Sequence, residues 1–423
     1  MAKTLTRLAR SAIGVPLLAA ALIAAGCSSG SGEAPKEGDA SGALTVWVGS
    51  WWEPIVPGIV RDFEAANPGI QLTIEPLPVN GYLDKFTSSA LGGNPPDIID
   101  LDSTWLATVA AQGLLESLDE HFSDIKQADY APGIWAASHY QGAMYALPAR
   151  GEAEVWYYNK TVFDKAGVPY PTDGWTHDDL VRIAQKLTIP GEQWGIGVPA
   201  DASDPSNVLS LFAPILWYFG GNFLNADNTA AEINSPASVK AIQYWSDFYL
   251  KYGASPEGTP NFSTTRDLAP LFQANKLGLI VSSSNTFDTL SQTKGLQWGT
   301  VLAPDKINRS GGWTMGIPTG AKNPAAARAF LRWFADPQNQ ASHMNRFPAR
   351  VDARELPPWN DAKYDIFKAA SPDSRSVPSV AGWFQMQTAV ISELQQVLVR
   401  QKTPQQAADA AADAINKVIA ENH

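Results

Sequence analysis

The chain has 423 residues, 45% apolar and 17% charged, which excludes a disordered or fibrous protein and leaves room for two lobes. A net charge of −11 argues against a nucleic-acid partner, which needs a basic face. One cysteine, Cys27, excludes an intramolecular disulfide and a cysteine metal cluster. Fifteen tryptophans supply flat apolar surface with a single donor each, suited to cores and to ligands with apolar faces and polar rims.

Lys3, Arg7 and Arg10 precede a short apolar run and the small residues before Cys27, which reads as a signal peptide over residues 1–26. The run is too short and too rich in Ala and Gly for a membrane span. Residues 27–42 hold Ser, Gly, Glu, Pro, Lys, Asp and Ala with nothing to bury, and read as a flexible tether.

Leu44–Val48 reads as a strand, Pro54–Asn67 as a helix ended by Asn67-Pro68-Gly69, and Ile70–Ile74 as a second, alternating strand. Tyr82–Leu91 is helical up to Gly92-Gly93-Asn94-Pro95-Pro96, and Asp97–Leu101 is a buried-type third strand. This β-α-β-α-β order predicts a parallel α/β sheet, whose ligands sit beyond the carboxyl ends of the strands. Trp51, Trp52, Glu53, Asp102 and Trp105 fall in those loops.

Leu147–Lys160 is ambiguous. The run Val155–Tyr158 is β-prone, and Glu152 and Glu154 precede it on one face of an extended segment. It is either an edge strand with solvated acids or a crossing between lobes with an acid aimed at a ligand. Thr176 and Asp179 form a capping box, with Trp175 and Leu180 as its hydrophobic staple, so Asp178 and Asp179 are structural. Further helices open at Ser235-Pro236, Asn323-Pro324 and Thr403-Pro404.

There is no Gly-rich phosphate loop, no nucleophile elbow and no metal spacing among the five histidines. Asp97, Asp100 and Asp102 share one strand and need not share a cleft. Asn225–Asn228 lacks the Gly and final Glu of a calcium loop and reads as a turn. Gly311-Gly312-Trp313 offers either close backbone approach to a ligand or a hairpin turn. Arg350 suits hydroxyls, a carboxylate or a surface ion pair, and Trp383 suits a stacking platform or a core.

In order along the chain, the following pieces resemble the extracellular solute-binding proteins of ABC sugar importers, the group that includes maltose-binding protein. They are Thr45-Val46-Trp47, Asn67-Pro68-Gly69-Ile70, Gly93–Ile99, Gly113-Leu114-Leu115, Tyr145–Pro148, Tyr158-Asn159-Lys160, Trp175-Thr176, Phe272–Leu279, Lys322–Ala327 and Thr388–Ile391. Cys27 resembles the lipidated first residue of a bacterial lipoprotein, although Ala24 departs from the larger aliphatic usual there.

The resemblance implies an α/β, two-lobed periplasmic-binding-protein-like fold with hinge crossings and C-terminal helices. It implies lobes at 43–150 with 305–348 and at 151–304 with 349–423. The crossings then fall at Arg150–Val155, near Val301–Pro304 and near Pro348.

Glu152 matches a hinge-side acid that binds a sugar hydroxyl, and Trp383 a stacking Trp. Asp102 and Trp105 lie in a loop that supplies an acid and an aromatic, though by strict offset Leu101 and Thr104 take those positions. Asn285 stands where the family often has a Trp.

The expected ligand set is Trp51, Trp52, Glu53, Asp102, Trp105, Glu152, Asn285, Gly312, Trp313, Arg350 and Trp383, with Glu154 a solvated or hinge-lining residue. The implied function is capture of a carbohydrate, expected to be a di- or oligosaccharide, in an interlobe cleft without catalysis, cofactor or metal, by a monomer held to the cell membrane through Cys27 and serving an ABC permease. A glycerophosphodiester ligand is one alternative and wants a cationic cluster. A secreted carbohydrate-active enzyme is another and wants two carboxylates across the cleft.

Overall fold

The computed structural model describes residues 40–422. The signal peptide, Cys27 and all but the last residues of the tether lie outside the described residues. The strands are β1 (Gly42–Gly49), β2 (Ile70–Leu77), β3 (Ile98–Asp102), β4 (His139–Tyr140), β5 (Ala143–Met144), β6 (Ala146–Ala153) and β7 (Val155–Asn159). They continue with β8 (Trp194–Ile196), β9 (Leu277–Ser282), β10 (Trp298–Val301), β11 (Asn308–Gly316) and β12 (Ser374–Arg375).

Alternation decides the first sheet. Leu44, Val46 and Val48 are buried on one face of β1, and Ile70, Leu72 and Ile74 on one face of β2. β3 is buried on both faces over residues 98–101, with Asp100 carried inside among the apolar residues. The order is β12-β11-β3-β1-β2, with β6 also paired to β11. β1 pairs in parallel with β2 and β3, whereas β11 returns antiparallel against β3 and β6. The second sheet runs β10-β7-β9-β8.

The chain changes sheet at Glu154, between β6 and β7, and again over residues 302–307, between β10 and β11. Near Pro348 it does not yet leave: Arg150 bridges Pro348, and Tyr130 bridges Arg350. The Arg354 guanidinium stitches this segment down, donating to the carbonyls of Pro348 (2.9 Å) and Gly151 (2.6 Å). Trp359, Tyr364 and Phe367 then pack on Phe347. Only after β12 does the chain enter the second core, through the helix Trp383–Leu398.

That second core gathers the helices Pro205–Tyr218, Pro236–Leu250, Trp383–Leu398 and Pro404–Glu421 around Phe212, Trp245 and Phe248. Pro205–Tyr218 is apolar almost all round, as befits a helix covered on every side. The capping box stands as read, with the Thr176 hydroxyl accepting from the Asp179 N–H at 3.1 Å. Asn225–Asn228 is a turn closed by the Asn225 carboxamide oxygen, which accepts from the Thr229 N–H at 2.8 Å.

Candidate functional site

The carboxyl ends of β1 and β3 meet the middle of β11 at an aromatic corner. Gly49 ends β1, and a Cβ there would lie 2.0 Å from the Trp51 ring, so glycine lets that indole fold back over the strand end. Trp51 meets Trp313 edge-on at 4.2 Å, and Trp105 meets Trp313 at 5.3 Å. Tyr82 closes one side, 6.1 Å from Trp105. From the second lobe, Phe384 approaches Trp105 at 6.4 Å, and the Gly382 N–H donates to the Thr108 hydroxyl at 3.1 Å. Edge-to-face pairs of this kind are worth about 0.5–1.5 kcal/mol each beyond area burial.

Register brings charge to the same place. Asp102 and Arg150 both stand opposite Trp313 on β11, and Asp100 opposite Met315, so all three carry their side chains to the Trp313 face. The Arg150 guanidinium lies 4.9 Å from the Trp51 ring and 5.5 Å from Trp313. Asp100 is fully buried, and burial pushes its carboxyl up to about 7, while Arg150, the Trp52 indole and the Gly49 amide pull the other way. Asp102 is half-buried, and one of its oxygens accepts from the Thr104 N–H (2.9 Å) and hydroxyl (2.7 Å). The buried Trp51 indole N–H finds no acceptor among the described residues. Trp245, deep in the second core, shares that feature, so the orphan donor points to a ligand only because flat rings and charge surround it.

Of the expected ligand residues, Trp51, Trp105, Trp313 and Asp102 come together here. Trp52 does not: it is 1% exposed and packs on Phe334 at 5.4 Å, because consecutive residues of a tight turn face opposite ways. Trp383 is likewise core, 0% exposed and 5.2 Å from Phe223. It heads the inner stripe of its helix with Gln387, Val390 and Leu394, which turns its neighbour Phe384 toward the corner instead.

Gly312 lies inside β11, not in a hairpin turn. A Cβ there would lie 2.2 Å from the Arg150 carbonyl, so glycine serves strand packing rather than ligand approach. Arg350 forks onto Asp352, at 2.9 and 2.6 Å, and is not aimed at a ligand. Asn285 spends its carboxamide oxygen on the Ser283 hydroxyl and the Thr286 N–H. Glu53 is exposed after the Ser50–Trp52 turn.

The Glu152 backbone pairs with Gly311; its side chain lies outside what the structure describes. Glu154 is not solvated but buried, 2.9 Å from Arg309. Arg150, Tyr82, Asp100 and Phe384 are the contributors the sequence reading missed. The one sequence signal was that Arg150 sits at the edge of an expected crossing. Among the described residues no cluster of His, Cys, Asp and Glu could hold a metal ion, and no helix is long and apolar enough to cross a membrane.

The chain is 28% identical over 283 residues to the mannitol-binding protein of Pseudomonas aeruginosa, covering 64% of this chain and 63% of that one. It is 23% identical over 399 residues to an sn-glycerol-3-phosphate-binding periplasmic protein of Salmonella typhimurium, covering 86% and 89%. Its fold matches an ABC transporter solute-binding protein of Thermotoga lettingae bound with alpha-D-tagatose. The TM-score is 0.77 at 25% identity, with 90% of this chain and all of that one covered. The family model of the bacterial extracellular solute-binding proteins matches residues 45–341. With its two α/β lobes and C-terminal helices, and over that length of sequence, the chain belongs to the bacterial extracellular solute-binding proteins, whose place is outside the cytoplasm.

Proposed function

We propose that the protein captures a carbohydrate or a related polyol between its lobes and delivers it to the membrane subunits of an ABC importer. The observation that carries this reading is the aromatic corner of Trp51, Trp105 and Trp313, rimmed by Arg150 and Asp102. Sugars need apolar platforms for their C–H faces and a few donors and acceptors for their hydroxyls. The corner offers both, and Phe384 supplies an opposing apolar surface from the second lobe. Relatives that take mannitol and tagatose support the same ligand class. Glu152, whose offset from Tyr158-Asn159-Lys160 matches a hinge-side acid of the family, is added to the proposal as a hydroxyl acceptor.

The protein carries out no reaction in this reading. Closure proceeds as a monomer about the crossings, and the membrane is reached through a lipid on Cys27. Replacing Cys27 by serine then releases the protein from the detergent phase of a membrane extract. A mutant that stays there removes the anchor from the proposal.

Arg150 also favours a second reading, a glycerophosphate or similar anionic solute, since a guanidinium pairs phosphate through two parallel hydrogen bonds. The relative that binds glycerol 3-phosphate supports it. A thermal-shift screen with D-mannitol, D-tagatose, maltose, maltotriose, sn-glycerol 3-phosphate and glycerophosphocholine separates the two. A ligand that binds only the native state raises the melting temperature by mass action. Stabilisation by neutral sugars or polyols is expected; a response to the phosphate compounds alone overturns the carbohydrate reading.

A further inference from the structure

Glu154 and Arg309 form a buried ion pair at the point where two crossings meet, and the aromatic corner does not use it. Glu154 is 6% exposed and Arg309 3%. Their backbones are joined, the Glu154 N–H donating to the Arg309 carbonyl at 3.0 Å. One Glu154 carboxylate oxygen accepts from Arg309 Nη1 at 2.9 Å and from the Ser210 hydroxyl at 2.5 Å. Arg309 Nη1 also donates to the Ser206 carbonyl at 3.2 Å, and Nη2 to the Ser206 hydroxyl at 3.1 Å.

The partners belong to different lobes. Arg309 sits at the start of β11, beside Ser310, which pairs with Ala153 of β6 in the first sheet. Ser206 and Ser210 stand one turn apart on the helix Pro205–Tyr218, which is anchored in the second core through contacts such as Phe212 on Trp245. Glu154 is the single residue between β6 and β7 where the chain changes sheet. The side-chain bonds from Arg309 and Glu154 to the two serines therefore run across the lobe boundary, whereas the Glu154–Arg309 backbone bond stays at the pivot.

A buried ion pair contributes little net stability when well made, because desolvation offsets the attraction. Its attested use is to select one arrangement over another. Separating the lobes would pull the serines away and return both charges to water, so closed and open forms differ by a small free energy that a ligand can tip. The network is also next to the expected ligand wall: Glu152 pairs with Gly311, two residues from Glu154 on one strand and from Arg309 on the other.

We propose that Glu154, Arg309, Ser206 and Ser210 form an interlobe latch that holds the closed conformation, with Glu154 and Arg309 as positioning residues for ligand capture. The latch rests on membership of the solute-binding family and not on which solute is bound.

The test measures the distance between spin labels on the two lobes in the full chain carrying Cys27→Ser. Labels go at Leu91→Cys and Val399→Cys, which are 72% and 46% exposed. Glu154→Gln and the double variant Ser206→Ala with Ser210→Ala are compared with the unaltered network, each without ligand and with saturating D-mannitol.

The latch predicts a larger long-distance population without ligand in both variants. Where D-mannitol binds, it predicts an apparent affinity about tenfold weaker, with the saturated distance unchanged, as expected when the competent fraction falls. Glu154→Asp should restore part of the closed population. Ligand-free distributions that superimpose on the parent overturn the latch, even if the melting temperature falls. If Glu154→Gln does not fold, the serine double variant decides alone, since it removes hydrogen bonds without stranding a charge. If D-mannitol fails to bind the parent, the carbohydrate reading is what suffers, and the ligand-free distances still judge the latch.

Discussion

Two arginine–carboxylate corners lie on either side of one β-bridge, and they behave in opposite ways. Arg350 grips Asp352 with both arms of its fork, and although burial works against it, the carboxyl is drawn below its ordinary range by Arg350. Arg150, whose strand bridges Pro348, instead lies across the faces of Trp51 and Trp313, and the nearby Asp100 is pushed up to about 7 by burial. The difference is solvent. At Asp352, whose side chain is 48% exposed, the bonds and charge of Arg350 together outweigh desolvation, whereas at the fully buried Asp100 desolvation wins. In the proposed site a guanidinium lies on aromatic faces near a buried acid, and the ligand reading rests on that combination of flat rings and charge.

The neighbours Trp51 and Trp52 break the comparison most sharply. Trp52→Ala should cost about 3–5 kcal/mol of stability in chemical denaturation, as a buried aromatic leaves a cavity. Trp51→Ala should fold nearly as the parent and weaken binding of whichever sugar stabilises the parent by about 2 kcal/mol, the scale of an interface anchor. Calorimetry in which Trp51→Ala binds unchanged would take the aromatic corner out of the site.

Arg150→Ala should resemble Trp51→Ala, with a binding loss of about 2 kcal/mol. Arg350→Ala should leave binding alone and cost about 1 kcal/mol or less of stability, since its partner is half-exposed and screened. That cost should vanish on acidification, because a lowered carboxyl contributes stability above its ordinary range and loses it as pH falls through the folded value. Equal binding losses in the two variants would show that the corners are not distinct.

Asp100 gives a subtler signature of the opposite sign. Between the ordinary carboxyl range and about pH 7, the native state holds a proton that the unfolded chain releases. This group therefore makes stability fall as pH rises toward 7. Asp100→Asn keeps the neutral form and should flatten melting temperatures between about pH 5 and about pH 8. A slope equal to the parent's would mean that Asp100 ionises normally.

The smallest effect concerns two glycines. At Gly312 an added Cβ meets backbone, the Arg150 carbonyl at 2.2 Å, while at Gly49 it meets a side chain, the Trp51 ring at 2.0 Å. Gly312→Ala should lower stability, whereas Gly49→Ala should chiefly move Trp51 and blunt ligand binding. Matching thermal-shift responses for the two would contradict this.

What could be read without a structure was local. The first strands and helices, the Thr176–Asp179 box and the proline-led helices follow from periodicities and caps contained within a few residues, and the observed elements agree to within a few positions. Trp51 and Trp105 were picked out by the rule that α/β sheets bind ligands past their strand ends, and Trp313 by the two glycines that precede it.

What the sequence could not reveal was which side of a turn or helix each neighbour takes. Trp52 and Trp383 went to the cores, while Phe384 went to the corner, because one step around a helix or tight turn redirects a side chain. Arg350 went to a carboxylate two residues away. Glu154 reached Arg309, 155 positions along the chain, only because β6 and β11 lie side by side. Composition, spacing and capping determined the elements and their order; strand register across distant segments decided which charges and rings share a face, because that register is set by packing between parts of the chain with no sequence proximity.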